Sequence, residues 1–64
     1  MKIRVLLDSL LTPQVDVDVE EELEVDADTF RSLADFDKVV LLINWANEQG
    51  IEFNTILGYT ELKD

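Results

Sequence analysis

Val15-Asp16-Val17-Asp18-Val19-Glu20-Glu21-Glu22-Leu23-Glu24-Val25 is the stretch on which the fold turns. Apolar and acidic residues alternate with a period of two. A half-buried strand imposes that period, because successive side chains leave the backbone on opposite faces. Val15, Val17, Val19, Leu23 and Val25 fall on one face, and Asp16, Asp18, Glu20, Glu22 and Glu24 on the other. Glu21 alone is out of step. A strand usually has roughly 5–6 residues, so a single strand of this length implies a bulge or bend near Glu20–Glu22. A tight hairpin there is disfavoured, since neither Gly nor Asn is present to make the turn. Charge of this density suits the edge of a sheet, where it deters pairing with another chain.

Upstream, Lys2–Asp8 reads as a second strand. Ile3, Val5 and Leu7 alternate with Arg4, Leu6 and Asp8. Leu6 gives the second face apolar character too, which places this strand in the middle of the sheet. Thr12-Pro13 marks the turn between the two strands. Downstream of Asp26 the period lengthens to that of a helix. Asp28 or Thr29 caps a short turn holding Phe30 and Leu33, and Asp35 or Asp37 caps a main helix running to about Gln49. Gly50 supplies the left-handed residue that ends it. Residues 51–57 read as the last strand, with a short tail to Asp64.

The expectation is one α+β domain spanning 1–64, a small two-layer fold of order strand–strand–helix–strand. Its three-stranded sheet, antiparallel or mixed, has the order 2-1-3, with one main helix on one face. The element order, with its Gly50-Ile51 step after the helix, resembles a shortened ubiquitin-like grasp. That resemblance implies a fold and no function.

The chain has 64 residues, no cysteine and no histidine. A domain this small buries only about 60% of the surface its unfolded chain exposes. It has no disulfide and no Cys/His zinc site to compensate. Its apolar fraction of 47% nevertheless suits a packed core. Fifteen acidic residues oppose five basic ones, for a formal net charge of −10. Direct binding to nucleic acid or to an anionic membrane is disfavoured, because phosphate is held by Lys and Arg. A larger protein with a basic surface is the expected partner, with homodimerisation as a further option. Lys2 and Arg4 precede only Val5, Leu6 and Leu7 before Asp8 interrupts. That run is too short for a signal-peptide core, and the expected location is cytoplasmic.

Catalysis is not expected. Without Cys or His the common nucleophile–base pairs are missing, and two distant glycines make no phosphate-cradling loop. No cofactor is implied. A calcium loop starting at Asp16-x-Asp18-x-Glu20 would need Gly at its sixth position and Glu at its twelfth. Glu21 and Ala27 stand there, so no metal site is expected.

Two features point to protein binding. The first is the acidic run, with eight carboxylates and no basic residue from Asp16 to Asp28. On one strand, Asp16, Asp18, Glu20, Glu22 and Glu24 would lie about 6.8 Å apart, a row of anions resembling the regular charges of a nucleic-acid strand. The second is the main helix. Advancing about 100° per residue, Phe36, Val39, Val40, Leu42, Ile43 and Ala46 gather on a face assigned to the core. Leu41 and Trp45 then fall outward, an apolar pair suited to anchoring a partner, unless Tyr59, Leu62 or the segment around Phe30 folds over them. The expected function is an acidic inhibitor that occupies a basic, nucleic-acid-binding surface. In charge strategy it is similar to viral anti-defence proteins that mimic nucleic acid. The alternative is a small oligomerising adaptor or regulatory subunit that binds through Leu41 and Trp45.

Overall fold

The computed structural model describes residues 1–63. Among these residues six elements follow in order: β1 (Lys2–Leu7), β2 (Gln14–Asp18), α1 (Val19–Glu22), α2 (Ala27–Ser32), α3 (Asp35–Glu48) and β3 (Ile56–Leu62). The three strands form one sheet of order β2-β1-β3. Both pairings are antiparallel, with Val5 opposite Val15 on one side and Tyr59 on the other. The expected two-layer α+β arrangement, with the most apolar strand in the middle, is the one observed.

The core lies on one face of the sheet. Ile3, Val5 and Leu7 of β1 and Val17 of β2 are buried there, together with Val19, Leu23 and Phe30. From α3 the buried residues are Leu42, Trp45 and Ala46. The opposite face carries Arg4 between Asp16 and Thr60, and Leu6 between Gln14 and Gly58. Leu6 is exposed there, so among the described residues the sheet is covered on one face.

Three local readings need correction. The alternating stretch is not one strand: β2 ends at Asp18, and Val19–Glu22 is a single helical turn. The turn forms because its cap is built into the sequence. The Asp18 carboxylate accepts from the Glu21 N–H at 3.2 Å, and Glu22 reaches back to accept from the Asp18 N–H at 2.8 Å. Two donors that a helix start leaves unsatisfied are thereby paired. Val19 and Leu23, four apart, then both reach the core, and Leu23 N–H donates to the Val19 carbonyl at 3.1 Å. The chain leaves this turn through Glu24, whose φ of 58° is left-handed.

The second correction concerns the caps. Asp26, not Asp28 or Thr29, caps α2, accepting from the Thr29 N–H at 2.8 Å. At α3 the N-cap is Ala34, with no side-chain hydrogen bond; Asp35 and Asp37 lie in the first turn. There their negative charge still faces the positive end of the helix dipole.

The third concerns the last strand, which is Ile56–Leu62 and not 51–57. After Gly50, at φ 74°, residues 51–55 form an irregular connector. Ile51 and Phe53 are half-buried against the core, which explains their alternation. The chain must travel to the Leu7 end of β1 before it can pair. Asp8 N–H donates to the Thr55 carbonyl at 2.9 Å, and Asn54 N–H donates to the Asp8 carbonyl at 2.8 Å, at that entry point. The register then shifts, with Leu7 opposite Ile56 but Leu6 opposite Gly58. Leu57 is the extra residue, 67% exposed, as a bulge leaves it.

Candidate functional site

The five carboxylates expected to form a row do not share a strand. Asp16 and Asp18 remain on β2, Glu20 and Glu22 stand on α1, and Glu24 is the residue that leaves it. The regular spacing is therefore lost at Val19, where the helical turn begins.

Each of the first four is also held by the fold itself. Arg4 donates to both Asp16 oxygens, Nε at 2.8 Å and a terminal nitrogen at 3.2 Å. The two residues face each other across β1 and β2. That forked pair holds the Asp16 carboxyl below the ordinary aspartate range, chiefly through the hydrogen bond from Arg4. Asp18 and Glu22 form the cap described above, and Glu20 is salt-bridged to the N-terminal ammonium. Further along, the Thr29 hydrogen bonds lower the Asp26 carboxyl. Arg31 binds Glu61 at 2.8 Å and lies 3.8 Å from Asp28.

What survives is a concentration of charge. Glu21, Glu22, Glu24, Asp26 and Asp28 are all exposed along α1 and the start of α2. An open cleft of about 320 Å³ lies beside them, lined by Lys2, Asp16, Asp18, Glu21 and Glu22. Among the described residues no three carboxylates converge as metal ligands.

The helix is turned relative to its expected face. Trp45 is only 7% exposed and belongs to the core, and Leu41 is half-buried against it. Trp45, expected to face outward, is therefore corrected to a core residue, and Leu41 to one half-buried against the core. Conversely, Phe36 is 76% exposed and Val40 is exposed as well. Val39 and Ile43 are half-buried beside them. Lys38 lies on the buried side, its ammonium 5.8 Å from the Phe30 ring centroid and 6.0 Å from that of Tyr59. Those two rings meet edge to face at 5.7 Å. A cation over two aromatic faces is stabilised there, so a charged residue is accommodated on the covered side.

A further surface escaped the sequence reading. The β1–β2 loop holds Leu10 and Leu11 fully and largely exposed, at 103% and 82%. Two adjacent leucines in a loop were the available signal. They border an open groove of about 580 Å³ whose other walls include Ile51, Glu52, Phe53 and Asn54.

No helix among the described residues is long and apolar enough to cross a membrane. The chain matches no protein-family model, no curated protein and no solved structure.

Proposed function

We propose that this chain is an acidic binding protein that occupies a basic, nucleic-acid-binding surface on a larger protein, as a viral anti-defence inhibitor would. The observation that carries the reading is the exposed carboxylate surface of α1 and α2 within a molecule of net charge −10. Its carboxylates sit on capped, packed elements, so the charge is presented at fixed positions. Long-range attraction of that kind raises the encounter rate with an oppositely charged partner. The patch is a cluster, not an evenly spaced row, so recognition rests on charge density and not on the spacing of phosphates.

Glu21, Glu24 and Asp28 serve no cap and are exposed, which makes them the residues to test. A partner captured from the native host would be mixed in stopped flow with wild type and with the variant Glu21→Gln/Glu24→Gln/Asp28→Asn. The variant should associate several-fold more slowly, with a flatter dependence on salt, and DNA or RNA should compete with the wild type. Equal association rates, or nucleic acid and this protein bound to the target together, would remove the reading.

The exposed face of α3 favours a second reading, an adaptor that binds through Phe36 and Val40. That contact would survive high salt and be lost in Phe36→Ser.

A further inference from the structure

The loop between β1 and β2 is an unusual place for two solvated leucines, because it is tied down. The Ser9 hydroxyl donates to the Glu52 carbonyl at 2.6 Å and accepts from the Thr12 N–H at 3.1 Å. Asp8 pairs with the connector through both its N–H and its carbonyl, and Leu7 N–H donates to the Pro13 carbonyl at 2.9 Å. Leu10 and Leu11 thus project from a braced turn. The neighbouring groove adds the half-buried apolar walls Ile51 and Phe53, and its acidic members are Asp8 and Glu52. Among the described residues neither Lys nor Arg lines it.

We infer that this groove is the anchoring site of the proposed binding surface, and that its occupant is a segment of a foreign protein carrying an apolar side chain flanked by Lys or Arg. The apolar walls give such a side chain area to bury, at about 25 cal/mol per Å². Asp8 and Glu52 offer partners to the flanking cations. A second copy of the chain fits poorly. A symmetric contact would set this groove on its own image, bringing Asp8 and Glu52 of each copy together between two bodies of charge −10. The large cleft volume accommodates a side chain with its neighbouring backbone; pockets for compact ligands span about 300–1,000 Å³. The division of labour follows from this placement. Exposed carboxylates on α1 and α2 bring the partner in, and the leucine groove slows its departure.

The inference rests on the reading above, and its test keeps the two apart. Isotope-labelled protein would be titrated by NMR with three short synthetic peptides. One carries a leucine–phenylalanine pair between paired lysines, the second replaces that pair with serines, and the third replaces the lysines with glutamates. The first should shift the amides of Leu10, Leu11, Ile51, Glu52 and Phe53. The serine peptide should shift only α1 and α2, and the glutamate peptide nothing. Leu10→Ser/Leu11→Ser, which removes only exposed side chains, should keep the fold by circular dichroism and weaken the first peptide by about tenfold. Shifts confined to α1 and α2, or no shifts at all, overturn the groove. Groove shifts without any on α1 and α2 uphold it and count against the charge-steering role. Sedimentation showing a dimer that Leu10→Ser/Leu11→Ser abolishes would assign the groove to a second copy, and binding of wild type to zwitterionic vesicles would assign it to lipid. Either result overturns the stated occupant.

Discussion

Glu24 shows at the residue scale why an alternating pattern misleads. It kept its place in the polar half of the alternation, yet its role is conformational: it holds φ at 58° so that the chain can leave α1 and deliver Val25 towards the core. Nothing in the residue type announces this, because glutamate gains nothing from a left-handed backbone. The cost of that conformation for a residue with a Cβ is about 1–2 kcal/mol. Glu24→Gly should therefore stabilise the domain by roughly 0.5–1 kcal/mol, part of the relief being lost to a freer unfolded chain. Glu24→Gln, which removes the charge and keeps the Cβ, should gain less; urea midpoints of the two variants at about 300 mM NaCl, where repulsion between exposed charges is largely screened, decide it. Asp16 gives a second test. Its folded pKa is depressed below the ordinary 3.8 by the Arg4 fork, so the charged form is the one that stabilises the fold. That contribution is fully present above the unfolded value and is lost as pH falls through the lowered folded one. Asp16→Asn should thus be less stable than wild type near neutral pH. The gap between their melting curves should close as pH falls below about 4. A gap of the same size at every pH across the acidic range would mean that Asp16 acts through packing.

The elements were legible where pattern and packing agree, and illegible where two patterns compete. β1 and the inward pair Val15 and Val17 of β2 follow directly from alternation. Gly50 was readable as the end of α3, because only glycine takes its φ of 74° cheaply. The facing of α3 was not readable. Val39-Val40-Leu41-Leu42-Ile43 is apolar on every side, so periodicity over that run does not choose a face. The choice falls to its neighbours. Trp45 offers the largest area to bury, and Ala46 beside it is small enough to let the helix approach the sheet. Burial of Trp45 carries Leu41 and Leu42 inward and leaves Phe36 and Val40 outside. Lys38 hid the pattern, since a cation on the core side reads as solvent-facing until Phe30 and Tyr59 are seen beneath it. Trp45→Ala should cost about 3–5 kcal/mol. A chain of this length has roughly 3–10 kcal/mol in total, so the variant should lose a large share of its stability and its urea midpoint should fall far below that of wild type. Phe36→Ser should change the urea midpoint little. The reverse order of effects would place Phe36, and not Trp45, in the core.

At the scale of the whole molecule, charge and size set the terms together. The sequence carries fifteen Asp and Glu residues, the described residues enclose a core of ten buried apolar side chains, and no cysteine is present to constrain the unfolded chain with a disulfide. Composition alone made the charge legible. How that charge is used was hidden, because capping, cross-strand pairing and free exposure look alike in a sequence of Asp and Glu. Caps and pairs occupy Asp16, Asp18, Glu20, Glu22, Asp26 and Glu61. Their geometry is short-ranged and only partly screened by salt. The remaining exposed carboxylates repel one another over longer distances, where screening acts fully once the Debye length falls from about 20–30 Å to roughly 6 Å. The net effect of moderate salt is therefore set by the long-range repulsion, and it should stabilise the fold. Between about 20 and 300 mM NaCl the melting temperature should rise by roughly 4–8 °C, the shift that ~1 kcal/mol produces in a domain of this size. Glu21→Lys, which places a cation in the densest part of the surface, should raise the melting temperature at low salt and reduce the salt increment. A melting temperature that fell with salt in wild type would show that the Arg4, Arg31 and N-terminal pairs outweigh the repulsion. The exposed carboxylates would then stand among local partners, and the case for their steering a basic protein from a distance would lose its electrostatic basis.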